Sequence, residues 1–153
     1  MNNLIVLHSY HHGSTKKVAA AMSDILEAEI KPAAGTGADE PGKYELVGFG
    51  AGIDSGRHYK ELLDYACRLP AGDKKPCFIF STSGVYTVKK MAADHAALRE
   101  ILLAKGYVVV GEFSCRGYNT NSFLKHFGGM NKGCPTEEDL KNARAFAERM
   151  KQL

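Results

Sequence analysis

The sequence has no apolar run that approaches the roughly 18 residues a membrane-spanning helix requires. A strand pattern begins at Leu4 with no basic segment and no apolar segment before it, so we expect no leader peptide. These absences favour a cytoplasmic protein that has no membrane association.

Cysteine is scarce and is never paired at short spacing. The four cysteines contain no C-x-x-C pair, and cysteines placed in this way are more often small buried hydrophobes than zinc ligands or a disulfide framework. They are Cys67, Cys77, Cys115 and Cys134. We therefore predict no metal site.

No block of one charge sign is present. The chain has 20 Lys and Arg against 17 Asp and Glu, a net charge of +3, and the cations are spread among acids along the predicted helices. This pattern is typical of solvated helix faces. The interleaved basic and aromatic residues of a nucleic-acid-binding protein are missing, which argues against that class of protein. With 153 residues, 44% of them hydrophobic, the composition predicts one globular domain over residues 1–153.

Strand and helix patterns alternate along the chain. This alternation predicts an α/β fold with a parallel sheet, helices on both faces and right-handed crossovers. The predicted strands are residues 4–7, 29–32, 44–49, 77–80 and 107–113. The predicted helices are residues 15–29, 58–69, 89–105 and 136–150, the last with Thr136 as its N-cap.

Small and hydroxyl residues follow the first strand at once, in the segment 9–15. Gly13 permits a sharp turn and close approach of a ligand, and Ser9, Ser14 and Thr15 bring hydroxyl donors to a helix start, which attracts anions. The segment therefore predicts a phosphate-binding loop. The alternative is an ordinary strand-to-helix turn in which Ser14 or Thr15 is the N-cap.

Two more loops of small residues, 50–56 and 81–84, follow the third and fourth strands. In an open parallel sheet the ligand binds at the carboxyl ends of the strands, where the strand order reverses. Three such loops at one edge of the sheet therefore predict one shared ligand site.

With these loops the chain resembles the flavodoxin family, in particular short flavodoxin-like proteins of anaerobic bacteria, over nearly its whole length. The resemblance implies a three-layer α/β/α sandwich with five parallel strands in the order 2-1-3-4-5 and an FMN cofactor at the switch point, for which flavodoxin is the standard example. It also implies that the first loop binds the FMN phosphate. The residues that this would involve are Ser9, His11, His12, Gly13, Ser14 and Thr15, with His12 in place of a usual threonine and Ser14 in place of an asparagine.

In that family the other two loops enclose the isoalloxazine ring. The resemblance thus implies one wall from Ala51, Gly52, Ile53 and Asp54, and a second from Ser83, Gly84 and Tyr86. Many flavodoxins stack a tryptophan on the flavin, and this chain has none, so Tyr86 is the best aromatic candidate, followed by Tyr10, His58 and Tyr118. Flavodoxins are also typically acidic, whereas this chain is slightly basic.

The function that these observations favour is electron transfer through FMN between redox partner proteins, a reductase and an acceptor, by a monomer or weak dimer. One alternative is an FMN-dependent NAD(P)H:quinone-type reductase in which the long segment 114–134 is a lid or a dimer contact. A third is an interaction module of the same fold that has lost its flavin.

Other polar residues have plainer interpretations. Cys115 is predicted to be half-buried and Tyr118 to be an aromatic residue of a loop. Asp94 and His95 are predicted to lie on the surface of the helix over residues 89–105. Arg116, Lys125 and Lys132 are predicted to form a solvated rim.

Overall fold

Strands and helices alternate throughout the computed structural model, which describes residues 2–9, 13–84, 87–117 and 133–153. The strands are β1 (Asn3–His8), β2 (Glu29–Pro32), β3 (Leu46–Asp54), β4 (Arg57–His58), β5 (Pro76–Ser83) and β6 (Val108–Arg116). The helices are α1 (Ser14–Leu26), α2 (Lys60–Cys67), α3 (Val88–Asp94), α4 (Ala96–Ala104) and α5 (Glu137–Lys151), with a short 3₁₀ helix at Glu40–Lys43.

Five of the strands form a parallel sheet in the order β2-β1-β3-β5-β6. This is the strand order 2-1-3-4-5 that the resemblance implied, so the fold class is confirmed. The small strand β4 is an addition, since it pairs antiparallel with the end of β3. The sheet order places β1 and β3 side by side at the centre, where the chain changes direction across the sheet.

Two apolar layers cover the two faces of the sheet. Alternate residues of β1 separate into them, because successive side chains of a strand point to opposite faces. Leu4 and Val6 belong to the layer that contains residues of α2 and α4, and Ile5 belongs to the layer that contains residues of α1 and α5. The three-layer arrangement follows from this alternation.

Three strands extend further than the sequence predicted. The segment 50–54, expected as loop, continues β3, and β5 and β6 run on to Ser83 and Arg116. The small residues there still pair along the backbone, with Gly52 opposite Thr82 and Ser83 opposite Arg116. The prediction was wrong because small residues were taken as the ends of strands, although they are compatible with pairing beside bulky neighbours.

A tight hairpin joins β3 to β4. Asp54 pairs with Arg57, and the two residues between them, Ser55 and Gly56, both have positive φ, 52° and 79°. Two consecutive positive φ values are the signature of a type I′ hairpin turn, which favours glycine. We call residues 53–58 the β3–β4 hairpin.

The single helix predicted over residues 89–105 is two helices, α3 and α4, which meet at His95. Asp94 and His95 are only 4% and 0% exposed, so the prediction that they lie on the surface was wrong. Helical periodicity does not reveal that a polar side chain has partners inside the protein, and His95 has two.

The start of the last helix and the edge strand of the sheet agree with the sequence-based predictions. Thr136 caps α5 in a capping box, accepting from the Asp139 N–H at 3.1 Å while the Asp139 carboxylate accepts from the Thr136 N–H at 2.9 Å. β2 is an exposed edge strand that ends at Pro32. In the described part of the chain, none of the helices has the length and apolar character that a membrane span requires.

We predict that Gly50→Ala will destabilise the fold by about 1–3 kcal/mol, because a Cβ atom at position 50 would lie 2.1–2.4 Å from the buried ring of Phe80. Chemical denaturation of both proteins measures the difference. Gly42→Ala is the matched control, since a Cβ there meets nothing within 4 Å. Part of the loss should return in the double variant with Phe80→Leu, and no recovery would contradict steric overlap as the cause.

Candidate functional site

Helix α1 begins directly after Gly13, which is its N-cap. Gly13 is in the left-handed region with φ 68° and ψ 25°, and its carbonyl accepts from the Lys17 N–H at 3.0 Å. The alternative that Ser14 or Thr15 caps the helix is therefore wrong, because both are helical residues of the first turn. Their hydroxyls thus lie beside the positive end of the helix, where the first N–H groups have no acceptors inside the helix.

The start of α1 contacts the ends of β5 and β6. The Thr15 and Thr82 hydroxyls form a buried hydrogen bond of 2.8 Å. A Cβ atom on Gly117 would lie 3.0 Å from the Thr82 Cβ and 3.1 Å from the Ser14 Cβ, so only glycine fits there without displacement. Sequence reasoning missed Gly117, whose only signal is a small residue directly after the fifth predicted strand.

Ser9 directly follows β1 on the approach to this helix start. Its hydroxyl oxygen is buried and has no hydrogen-bond partner among the residues that the structure describes. An unsatisfied buried hydroxyl costs about 1–3 kcal/mol. A phosphate oxygen in the turn would be a suitable acceptor, so the residues present fit a phosphate group.

The segments predicted as ring walls lie side by side, because β3 and β5 are neighbours and Gly52 is opposite Thr82. Ile53 is half-buried and Asp54 is exposed in the β3–β4 hairpin. Ser83 is the buried last residue of β5, its carbonyl accepts from the Gly117 N–H at 3.0 Å, and Gly84 follows it.

Two of the wall residues point elsewhere. The Ala51 side chain is fully buried in the core layer of α2 and α4. The Gly52 carbonyl accepts from the Tyr59 N–H at 3.1 Å, and a Cβ at position 52 would lie 2.7 Å from the Tyr59 ring. At these two positions only backbone is left to face a ligand. The predicted site residues His11, His12 and Tyr86, and the further aromatic candidates Tyr10 and Tyr118, lie outside the described residues, as do Lys125 and Lys132.

A buried chain of hydrogen bonds lies behind β5. The Ser81 hydroxyl donates to the Ser114 hydroxyl at 2.9 Å and lies 2.7 Å from His95 Nε2. His95 Nδ1 lies 2.9 Å from Glu112 Oε1, and Arg99 donates to both carboxylate oxygens of Glu112 at 2.7 and 2.8 Å. Two features of the sequence could have indicated this hydrogen-bond chain: serines within apolar strands and a histidine within a helical pattern.

His58 of the β3–β4 hairpin packs on this chain. Its ring centroid lies 4.9 Å from that of His95, and its Nε2–H donates to the Phe80 carbonyl at 3.0 Å. Burial, and then the neighbouring His95, lower the pKa of His58 to about 3, so this ring is neutral at pH 7. Burial alone would raise the pKa of Glu112, but the hydrogen bonds from Arg99 and His95 outweigh it and lower the pKa to about 2.

The order serine, histidine, glutamate resembles the hydrogen-bonded chain of a nucleophilic triad. Ser81 and His95 are both 0% exposed, however, so no substrate reaches the hydroxyl. Within the described ranges there is also no group of three His, Cys, Asp or Glu side chains placed to hold a metal ion. Cys115 is almost fully buried, and burial raises the pKa of its thiol to about 12, which makes it unreactive.

The fold and the edge of the sheet define a class: open, doubly wound α/β proteins whose ligand site lies at the carboxyl ends of the strands. The family model described as a flavodoxin domain matches residues 5–152. The chain belongs to the flavodoxin family.

Known proteins similar to this chain support the assignment. An uncharacterised protein of Methanocaldococcus jannaschii, MJ0298, is 40% identical over 148 residues, which cover 97% of each chain. Among solved structures, oxidised flavodoxin 2 from Bacillus cereus superposes with a TM-score of 0.72 at 16% identity, covering 96% of this chain and 95% of that one. A flavodoxin from the domain Archaea superposes with a TM-score of 0.66 at 15% identity, covering 99% and 97%. At these identities the two structures support the fold alone.

Proposed function

We propose that this chain is a single-domain, monomeric or weakly dimeric cytoplasmic protein that binds FMN non-covalently and carries electrons between redox partner proteins. Membership of the flavodoxin family supports the flavin. The observation on which the proposal depends is the close contact of the start of α1 with the ends of β5 and β6: Thr15 is hydrogen-bonded to Thr82, and Gly117 contacts both Thr82 and Ser14.

The phosphate end of the site is the turn between β1 and α1. The buried hydroxyl of Ser9 has no hydrogen-bond partner among the described residues, and Gly13 is the N-cap of α1. The first turn of α1 supplies N–H groups and the positive end of the helix dipole. The residues proposed to bind the phosphate are Ser9, His11, His12, Gly13, Ser14 and Thr15.

The ring end is the neighbouring edge formed by β3 and β5. We propose that Ile53 and Asp54 face one side of the ring and that Ser83, Gly84 and Tyr86 face the other, with Ala51 and Gly52 contributing backbone only. When bound, FMN supplies the electron-accepting chemistry, and the protein binds it, orients it and excludes water. The basic net charge of +3 favours partners whose docking face is acidic.

Titration of the purified protein with FMN tests the proposal. We expect 1:1 binding, flavin absorbance that stays with the protein on gel filtration, and a Tm that rises by about 5–10 °C at 100 times the Kd, since such binding stabilises by about 2.7 kcal/mol. Riboflavin, which lacks the phosphate, should give a smaller rise. If saturating FMN leaves the Tm unchanged, the proposal is wrong.

A second assay separates a carrier from a reductase. We expect the FMN-loaded protein to oxidise NAD(P)H slowly by itself and to be reduced quickly only when a separate flavodoxin reductase is added. Rapid NAD(P)H oxidation by the protein alone, with a quinone as acceptor, would contradict the carrier role.

A further inference from the structure

His95 contacts both elements that we propose as walls of the ring site. Its Nε2 atom lies 2.7 Å from the Ser81 hydroxyl, two residues before Ser83 on the same face of β5. Its ring lies against His58 of the β3–β4 hairpin, which also contains Ile53 and Asp54. A change in the charge of His95 therefore changes the electrostatic potential at both walls.

The hydrogen bonds around His95 fit a ring that donates from both nitrogens. The Ser81 hydroxyl has a single proton and donates it to Ser114, so its oxygen accepts from His95 Nε2–H. At the other nitrogen, Nδ1 faces the Glu112 carboxylate, which only accepts. A histidine that donates from both nitrogens is an imidazolium.

His95 shares its carboxylate partner, Glu112, with Arg99. The titratable groups in contact with the His95 ring are Glu112 on β6 and His58 on β4. The other charged groups nearby are Arg99 on α4, which contacts Glu112, and Asp94 and Lys90 on α3, the helix that ends at His95. Glu112 pairs with Arg99, Asp94 pairs with Lys90 at 2.5 Å, and His58 is neutral. The charges of the two pairs cancel, so the proton on His95 sets the net charge of the group.

A route for this proton to solvent is also present. Ser114 is the last hydroxyl of the chain and lines a cavity of about 340 Å³ beside β6, together with Asp139, Asn142 and Arg149. His95 can pass its Nε2 proton to the Ser81 oxygen while Ser81 passes its own proton to Ser114 and Ser114 releases its proton to solvent in the cavity. The transfers leave Ser81 donating to His95, and the two hydroxyls rotate back when the next proton is taken up.

We propose that His95 is a positioning residue that gives the flavin site a pH-sensitive positive charge and exchanges its proton through Ser81 and Ser114. This inference depends on the proposed function. A nearby cation stabilises a group that gains negative charge, and reduction adds electrons to the flavin. As the pH falls and His95 is protonated, the protein therefore binds reduced FMN more tightly relative to oxidised FMN.

The first experiment uses the wild-type apoprotein and needs no flavin. Nitrogen-15 NMR of the histidine rings should show both His95 nitrogens protonated at low pH and the loss of one of these protons as the pH is raised. The His95 signal should remain in the neutral form at every pH if the inference is wrong. Because this arm involves no variant and no FMN, it remains informative even if FMN does not bind, an outcome that would overturn the proposed function instead.

The second experiment measures the ratio of the dissociation constants of oxidised and reduced FMN against pH, from the midpoint potentials of free and bound FMN. In the wild type the ratio should change by about tenfold across the His95 titration. In His95→Gln, whose amide can still bond to Ser81, this step should be absent. A step that persists in a folded His95→Gln variant would overturn the assignment, and if that variant does not fold, the NMR titration decides alone.

Ser114→Ala is the matched variant for the proton route. It should keep the equilibrium pH profile of the wild type, because His95 and its charged neighbours are unchanged, while the His95 Nε2 proton exchanges with water at least tenfold more slowly. Exchange at the wild-type rate would overturn the relay through Ser81 and Ser114.

Discussion

Replacing Gly13 with aspartate will weaken FMN binding by about 100-fold or more, whereas replacing it with asparagine will weaken binding by about tenfold or less. The two side chains have the same shape and differ in charge. A carboxylate at the start of α1 lies where we propose the phosphate binds, and repulsion between a single and a double negative charge about 5 Å apart costs several kcal/mol at a protein surface.

Position 13 accommodates both side chains. A Cβ atom there meets nothing within 4 Å among the described residues. The left-handed φ of 68° is unfavourable for most residues, but Asn and Asp tolerate it better than others. A negative charge at a helix start also contributes about 0.3–1 kcal/mol of stability, so the Gly13→Asp apoprotein should fold at least as well as Gly13→Asn.

Fluorescence titration with FMN measures both affinities, and titration with riboflavin is the control. Riboflavin has no phosphate, so its affinity should be the same for the two variants. Equal loss of FMN affinity in Gly13→Asp and Gly13→Asn would show that the effect is steric and would remove the phosphate from this turn.

Replacing Glu112 with alanine will destabilise the protein by about 3 kcal/mol. Removing one partner of a mostly buried ion pair leaves the other charge without compensation, which typically costs about 3–5 kcal/mol. Glu112 accepts from Arg99 in a two-pronged contact and lies beside the fully buried His95, so two donors lose their acceptor at once. Urea denaturation at pH 7 measures the difference in the free energy of unfolding.

The pH dependence of stability gives a second test of the same residue. The pKa of Glu112 is about 2 in the folded protein, below its ordinary value of 4.5. A lowered pKa means that its contribution is fully present above about pH 4.5 and is lost as the pH falls towards 2. Across this window the wild type should therefore lose more stability than Glu112→Ala.

Glu29→Ala is the matched control for this prediction. Glu29 pairs with Lys31 at 3.7 Å, but its side chain is 63% exposed, and surface pairs of this kind contribute about 0–1 kcal/mol. If Glu112→Ala costs no more than Glu29→Ala, the buried hydrogen-bond chain does not stabilise the fold.

The sequence was most informative where a local pattern has one physical meaning. Val18 and Met22 recur at helical spacing, and both are fully buried in α1. The continuous apolar run at 77–80 is β5, buried on both faces as parallel strands are. It was misleading at residues 50–54, where glycines indicated a loop, because the rings of Phe80 and Tyr59 that occupy the space above them come from other segments.

The candidate site shows the same division. Gly13 and Thr15 were recognisable as a helix start, because turn geometry and helix dipoles are local properties. Gly117 was not, because its role exists only where Ser14 and Thr82 meet it. The burial of Asp94 and His95 was not recognisable either. His95 contacts Ser81 on β5 and Glu112 on β6, and Asp94 pairs with Lys90 of the same helix.

The sequence by itself determined the alternation of strands and helices and the parallel sheet, since periodicity and turn chemistry are properties of neighbouring residues. Only the tertiary structure decided which hydroxyls share a hydrogen bond, which glycines make room for rings and that a histidine is buried between Ser81 and Glu112. The hydrogen bonds among these contacts join residues between 14 and 67 positions apart, and no local pattern specifies which distant partners meet.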